Sequence, residues 1–348
     1  MVAILFLSAA ASGGKVYRYE YQKIIKTEPG LQISINNPNG KVTLTTNPDG
    51  KLRVDAVKSI YAESQEEAEF VADHVQVSVT DIDGHFTIEP RFLQIQNRSP
   101  SFWQKLLGKG SETSYGSVDF VISVPTECNV DINNPQGDIE VSGLRGSITA
   151  TGDLGSIAVR DIMGDATVVS SSGPVAVKDI EGRIFIKANG ADLTFFSLNG
   201  DLEIRNSSGK VAGEYLVGDL IVSQQVGEVD VRQIEGDIRI KAASANVKVI
   251  QNFGALDVST ETGDIDITTE LNSSKDYFVE TVSGSIRFRV PEASGGEVRL
   301  EAGSCEIDTQ IPIAIESFSR TRISGSFGSG GPKISLATTS GDIVLAEY

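Results

Sequence analysis

Residues 137–163 read GDIEVSGLR, GSITATGDL and GSIAVRDIM, three consecutive nonapeptides that each begin with glycine. The glycine returns every nine residues from Gly137 to Gly263, and only Ala191 and Ala245 replace it. A fixed short period held in register over fifteen units is the sequence signature of a solenoid. This repeat decides the fold of most of the chain.

The pattern inside each unit predicts a short strand with one buried face. With the glycine as position 1, position 3 is aliphatic in every unit, and position 5 is apolar except at Gly213. Position 4, between them, is mostly polar or small. Apolar and polar residues in alternation indicate a half-buried strand, and the glycine marks the turn before it.

Position 8 shows how the units combine. It alternates between an aliphatic residue, as in Leu144 and Ile162, and a polar or small one, as in Asp153 and Ser171. Two kinds of corner therefore alternate, one filled by an aliphatic side chain, which we call the plug, and one polar. Where Asn252 breaks the series, we expect Phe253 to be the plug. The sequence predicts an all-β, single-stranded parallel β-helix, a solenoid of 18-residue coils with two strands each. Parallel crossovers favour a right-handed coil.

The rest of the chain divides into segments around this repeat. Residues 1–14 are predicted to be a signal-peptide remnant, because Met1 to Ala11 are apolar or small and Ala9 to Ala11 resemble a cleavage site. Ten apolar residues are too few to span a bilayer, and no other segment is a transmembrane candidate. Residues 15–136 form an N-terminal β region of first coils plus an insertion, residues 137–271 the regular repeat, and residues 272–348 the closing coils.

One short helix is predicted in the N-terminal region. Ser64 and Glu67 form a capping box at its start. Ala68, Val71 and Val75 follow on one face, and we expect this helix to cap the open end of the solenoid.

Several segments resemble a known family. They are the Gly-Asp-Ile strands, residues 118–125, 281–284, 323–332 and 339–343. Over residues 30–348 the chain resembles the bacterial putative-adhesin β-strand-repeat family, a domain of unknown function. The resemblance implies a parallel β-solenoid that is exported or associated with the cell envelope. It brings no catalytic motif.

Few residues are candidates for metal or cofactor chemistry, and neither a metal nor a cofactor is expected. Asp201, Asp219 and Asp237 lie 18 residues apart and should stack. A calcium ladder is the weaker interpretation, because the double glycine and second aspartate of calcium-binding nonapeptides are absent. Each aspartate capping its own turn is the alternative. Cys128 and Cys305 are expected to be buried thiols.

Two groups of side chains are candidate contact patches. Phe102, Trp103, Leu106 and Leu107 lie beside two lysines in the only aromatic and basic segment of the chain. A short helix packed over the solenoid is the alternative for this segment. Phe185 and Ile221 break the outward polar pattern and should share a face two coils apart.

These observations favour a binding protein. A net charge of −17 argues against a nucleic-acid partner, which requires a basic footprint. The leading hypothesis is an exported, non-enzymatic, adhesin-like binding or structural module of the bacterial cell envelope, with an envelope protein or glycan as partner. A self-assembling filament scaffold is one alternative. A polysaccharide-binding or polysaccharide-degrading β-helix protein is another, although the charged outward residues do not form a convergent set.

Overall fold

The computed structural model describes residues 15–28, 30–93, 116–303 and 305–348. The predicted signal-peptide remnant, residues 1–14, lies outside them. The chain forms two compact units, Met1–Pro174 and Val175–Tyr348. The segment boundaries expected after residues 136 and 271 stay predictions.

The first unit contains twelve described strands and one helix. In chain order these are β1 Lys15–Lys26, β2 Leu31–Asn36, β3 Val42–Asn47, β4 Lys51–Ala62, α1 Gln65–His74, β5 Val75–Ile82, β6 His85–Phe92, β7 Gly116–Pro125, β8 Cys128–Asn134, β9 Ile139–Arg145, β10 Ile148–Gly152, β11 Ile157–Met163 and β12 Ala166–Ser170.

Parallel ladders join strands of the first unit that are one coil apart. One sheet has the order β5–β6–β2–β8–β10–β12, and we call it the polar-corner sheet because a polar corner follows its strands. The other has the order β1–β4–β7–β3–β9–β11 and is called the plugged-corner sheet. Among the described strands of the first unit, only the pairs β1–β4, β4–β7 and β5–β6 are antiparallel, and they lie at the N-terminal edges.

The second unit contains sixteen described strands. They are β13 Val175–Glu181, β14 Ile184–Ala188, β15 Leu193–Asn199, β16 Leu202–Val217, β17 Leu220–Glu235, β18 Ile238–Phe253, β19 Leu256–Thr262, β20 Ile265–Thr269, β21 Tyr277–Ser283, β22 Ile286–Val290, β23 Gly296–Ala302, β24 Ile307–Thr309, β25 Ala314–Ser319, β26 Arg322–Phe327, β27 Lys333–Ser340 and β28 Ile343–Glu347.

The same two kinds of sheet recur in the second unit. Its polar-corner sheet runs β14–β16–β17–β18–β19–β21–β27–β23–β26–β25, and its plugged-corner sheet runs β13–β15–β16–β17–β18–β20–β22–β28–β24. Strands β16, β17 and β18 continue through the corner and belong to both sheets. The closing coils contain the antiparallel pairs β23–β26 and β25–β26.

The predicted 18-residue, two-strand coil is confirmed by the register. Ile148 pairs with Ala166 in the first unit, and Leu202 pairs with Leu220 in the second. The side chains at positions 3 and 5 form the core. The aliphatic plugs at position 8 are also buried, namely Leu144, Ile162, Ile180, Leu198, Leu216 and Ile234. The handedness of the coil stays a prediction.

The plug after Ile234 was predicted wrongly. Phe253 is half exposed, and Gln251 is the buried residue paired with Ile234. The Gln251 amide donates to the carbonyl oxygens of Gly236 at 2.8 Å and Ala255 at 3.0 Å, and its own oxygen accepts from Thr269 at 3.1 Å. A buried amide is tolerated here because each of its polar atoms is hydrogen-bonded.

The plugs point inward because of a bulge that the sequence pattern does not reveal. Position 7 has positive φ in six successive plugged-corner units, at Gly143, Asp161, Asp179, Ser197, Tyr215 and Gln233. The parallel register skips this residue, since Arg160 pairs with Ser142 and then Ile162 with Leu144. One left-handed residue thus moves the plug from the outward to the inward phase of the strand.

The unusual glycine at position 5, Gly213, is explained by its neighbour. It pairs with Phe195, whose ring is buried beside it. A Cβ at Gly213 would overlap the Cε1, Cδ1 and Cζ atoms of that ring. A large and a small residue in adjacent coils therefore share the space that two valines fill elsewhere.

The helix begins where the capping box predicts it. The Glu67 N–H donates to Ser64 Oγ at 3.2 Å, and Glu67 Oε2 accepts from the N–H of Glu63. Ala68, Val71 and Ala72 are buried, and α1 packs against β1, β4 and β5. Because β1 and β5 are the outermost described strands of the two sheets, the helix lies at the N-terminal edge as expected.

The two cysteines differ in environment. Cys128 is buried, and burial raises the pKa of its thiol to about 12. Cys305 is exposed, so the expectation of a buried thiol there was wrong. The strand expected around it is only the short β24, which starts two residues later.

Candidate functional site

The strands β14, β16, β17 and β18 present two outward rows on the polar-corner sheet of the second unit. The first row contains Phe185, Glu203, Ile221 and Arg239, and Asp257 of the neighbouring strand β19 continues it. The second row, two residues further along each strand, contains Lys187, Arg205, Ser223 and Lys241. We call these two rows the binding face, and Lys187, Arg205 and Lys241 its cationic row.

Phe185 and Ile221 lie two coils apart on one row, as the sequence predicted. Ile221 is 39% exposed, and Phe185 is partly covered by Arg205, whose guanidinium carbon lies 5.5 Å from the ring centroid. Such a cation–π contact covers one face of the ring. The first row therefore offers apolar surface between charged neighbours.

The cationic row was not recognised from the sequence as a set. Arg205 pairs with Glu203 at 2.6 Å, and Arg239 in the first row pairs with Asp257 at 3.3 Å. Among the described residues, neither Lys187 nor Lys241 has a carboxylate within ion-pair distance. Two ammonium groups in a strongly acidic chain are thus left for solvent or a ligand.

A shallow groove of about 390 Å³ follows the cationic row along the polar corner. The exposed side chains of Asn189 and Gln225 form its outer side. Its floor contains the buried amides of Asn206 and Gln224, which donate to the carbonyl oxygens of Ala191 at 3.0 Å and Gly209 at 2.6 Å. These internal hydrogen bonds satisfy corner carbonyls and hold the floor in place.

The aspartate column lies at the other end of the same strands. Asp201 Oδ1 accepts the N–H of Asp219 at 3.0 Å, and Asp219 Oδ1 accepts the N–H of Asp237 at 2.9 Å. Asp237 Oδ1 accepts from the N–H of Ala255 and from Lys275 Nζ at 2.7 Å. Each carboxylate caps the next coil, so the expectation that it caps its own turn was wrong.

The charge of the aspartate column is stabilised by these donors. Hydrogen bonds from Lys275 and from the backbone of Ala255 hold the pKa of Asp237 below its ordinary value. No group of three or more His, Cys, Asp or Glu side chains in the described ranges is arranged to hold a metal ion. A calcium role for Asp201, Asp219 and Asp237 stays a hypothesis.

A second exposed aromatic feature was missed from the sequence. Phe196 and Tyr215 lie on the plugged-corner sheet with ring centroids 5.2 Å apart, and Lys178 Nζ lies 5.3 Å from the Phe196 centroid. Tyr215 is one of the bulge residues, with φ of 61°. Comparing position 6 of one coil with position 7 of the next would have revealed this pair.

An open pocket of about 590 Å³ lies in the first unit between the β1–β2 and β5–β6 connections. It is lined by Glu28, Asp81, Asp83 and His85 among others. Ser34 Oγ lies 2.8 Å from His85 Nε2. Among the described residues no carboxylate is hydrogen-bonded to the other ring nitrogen of His85, the group that orients the base in a nucleophile–base–acid arrangement.

The aromatic segment with Phe102, Trp103, Leu106 and Leu107 lies outside the described residues. In the part of the chain that is described, no helix has the length and apolar character needed to cross a membrane.

The strand pairing and the inward side chains define a protein class, the parallel β-solenoids with two strands per coil. The profile of one family, Toastrack DUF4097, matches residues 31–346. The chain belongs to this family, which agrees with the resemblance noted from its repeats. A search of curated proteins finds no match.

Solved structures of low sequence identity are also similar to the chain. A putative adhesin from Parabacteroides merdae is 10% identical, with 94% of this chain and 96% of that chain covered and a TM-score of 0.34. A putative cell adhesion protein from Clostridium sporogenes is 9% identical, with 95% and 100% covered and a TM-score of 0.21. A putative lipid binding protein from Parabacteroides distasonis is 14% identical, with 77% and 96% covered and a TM-score of 0.31.

Proposed function

We propose that the protein is an exported, non-enzymatic binding module of the bacterial cell envelope, and that the binding face is its contact surface. The observation that carries the proposal is the combination of outward apolar side chains with two lysines that have no ion pair among the described residues, on strands hydrogen-bonded on both sides. Apolar surface rimmed by polar and charged side chains is typical of interaction sites.

The absence of an assembled catalytic group among the described residues supports the non-enzymatic part. Among the described residues no acid orients the Ser34–His85 pair, and the charged side chains of the binding face are either paired or lie in separate coils. Repeated strands place side chains in rows, which suits an extended partner better than a small substrate.

Export and binding are tested separately. Fractionation of cells that produce the tagged chain should find it outside the cytoplasm, and a purely cytosolic chain would refute export. For binding, the purified protein should be retained on isolated envelope material. Replacing Phe185 and Ile221 by serine should reduce retention, whereas the matched change of the exposed Val217 and Val226 should not. Equal retention of both double variants would refute the contact surface.

One observation favours the scaffold alternative. The edge strand β25 is fully exposed and pairs only with β26 in the described chain. Ile315 and Phe318 on it are 57% and 70% exposed. Such an edge can pair with a second copy. If it does, light scattering should show concentration-dependent growth that Ile315→Lys removes, and a monomer at all concentrations would refute self-assembly.

A further inference from the structure

The charge of the binding face is opposite to that of the whole chain. The chain has a net charge of −17, yet the two rows contain four cations against two carboxylates, Glu203 and Asp257. Both carboxylates are already paired with arginines of the same face. The unpaired positive charge is concentrated on Lys187 and Lys241, at the two ends of the cationic row. Charge complementarity therefore favours an anionic ligand.

The spacing of the cationic row favours an extended ligand. Adjacent strands lie about 4.8 Å apart, so Lys187 and Lys241, three coils from each other, span roughly 14 Å with Arg205 between them. The groove runs along this row, across the strands. A linear polymer with repeated negative groups can contact all three cations at once.

The neighbouring groups favour a glycan over a peptide. Strands β16 and β17 are hydrogen-bonded on both sides, so no strand edge is open for a peptide to extend the sheet. Asn189, Gln225 and Ser223 instead offer side-chain amides and a hydroxyl, which bind sugar hydroxyls. Phe185 and Ile221 supply apolar surface for the faces of sugar rings.

We propose that the binding face binds an acidic polysaccharide along the polar corner, with its carboxylate or sulfate groups paired to Lys187, Arg205 and Lys241. The inference rests on the proposed binding function and specifies its ligand class. Arg205 keeps guanidinium donors besides those used by Glu203, so it can hold an anionic group in a forked geometry. No bond is made or broken in this interaction.

The test uses pairs of polymers that differ only in charge. Calorimetry with the purified protein should show binding of polygalacturonate and not of its methyl-esterified form, which identifies carboxylates. Binding of dextran sulfate and not of dextran would identify sulfates. Binding should weaken with added salt, because exposed charges are screened. Equal binding of the charged and neutral forms would overturn the proposal.

Three variants locate the site. The triple change Lys187→Gln, Arg205→Gln and Lys241→Gln should weaken binding by at least about tenfold. The matched change Lys178→Gln, Lys210→Gln and Lys248→Gln removes the same charge from elsewhere in the second unit and should leave affinity within about twofold. The charge-retaining change Lys187→Arg and Lys241→Arg, with Arg205 left in place, should keep binding, which controls for folding.

The remaining outcomes refute the ligand class. Equal weakening by both glutamine triple variants would show a non-specific charge effect. Poly-L-glutamate or single-stranded DNA binding as tightly as the acidic glycans would replace the glycan with a peptide or a nucleic acid. Retention on envelope material without binding of any acidic polymer would overturn this inference and leave the proposed binding function standing.

Discussion

Phe195 and Gly213 should behave as one packing unit. They lie side by side in the core column Val177, Phe195, Gly213 and Val231 of the plugged-corner sheet. Gly213→Val alone places atoms inside the Phe195 ring and should cost about 1–3 kcal/mol of unfolding free energy through overpacking. Phe195→Val alone leaves a cavity beside Gly213 and should cost about 2–4 kcal/mol.

The double variant should recover much of that loss. With Phe195→Val and Gly213→Val combined, valine occupies the column in four adjacent coils, because Val177 and Val231 already lie on either side of the pair. We expect a coupling free energy of about 1.5–3 kcal/mol in a double-mutant cycle. The assay is guanidinium unfolding followed by circular dichroism, with the denaturant dependence compared among the four proteins.

A control cycle separates packing from a general effect. Phe195→Val combined with Val258→Ala, in the other sheet, should be additive within about 0.5 kcal/mol. A coupling below that value for Phe195 and Gly213, or full stability of Gly213→Val in the presence of Phe195, would show that the ring does not exclude the side chain. The explanation that the large Phe195 ring requires a residue without a side chain at position 213 would then be wrong.

Three further predictions concern the corners and the thiols. Gly200→Ala should cost about 2–4 kcal/mol of unfolding free energy, because φ is 139° there and a Cβ would overlap the Gly182 carbonyl. Thermal melting measures this loss. The control is Ala191→Gly, which should cost under about 1 kcal/mol. Maleimide should label one thiol per native chain near neutral pH, that of the exposed Cys305, because Cys128 is buried with a pKa of about 12. Two thiols should be labelled in urea, and Cys305→Ser should abolish the labelling of the native chain. Lys275→Met should raise the pKa of Asp237 in a carboxyl NMR titration, because the strongest hydrogen bond that lowers it is removed. The lowered pKa of Asp237 stabilises the fold above the unfolded pKa of about 3.9. This contribution is lost as pH falls through the folded pKa. Lys275→Met should therefore lose less unfolding free energy on acidification than the unsubstituted protein.

Much of the fold was predictable because its signal is local and periodic. The alternation at positions 3 to 5 reports burial directly, and the plugs at position 8 revealed the 18-residue coil. The bulge at position 7 was not predictable in the same way, because its residues range from Gly143 to Tyr215 and only their backbone conformation is shared. Within residues 137–271, the glycine before the polar-corner strands is never replaced, whereas Ala191 and Ala245 both occur at the other corner. The sequence already contains this difference.

The candidate site was predictable only in part. Phe185 and Ile221 stand out singly as apolar residues in polar positions. Lys187, Arg205 and Lys241 do not, because charged outward residues are ordinary and these are 18 or 36 residues apart. Their relation becomes visible only when position 6 is compared in alternate units. The apolar pair Phe185 and Ile221 and the cationic row then lie on one face.

The aspartate column has a consequence for how chains of this family change in length. Three successive coils each supply the acceptor for a backbone N–H at the start of the following coil, as Asp201 does for Asp219, Asp219 for Asp237 and Asp237 for Ala255. Removal of residues 202–219 would bring the N–H of Asp237 opposite Asp201, with a partner of the same kind. Duplication of such a segment would likewise add a coil that is already capped. Unequal recombination in steps of 18 codons can therefore lengthen or shorten this part of the chain while the aspartate corners keep their hydrogen bonds.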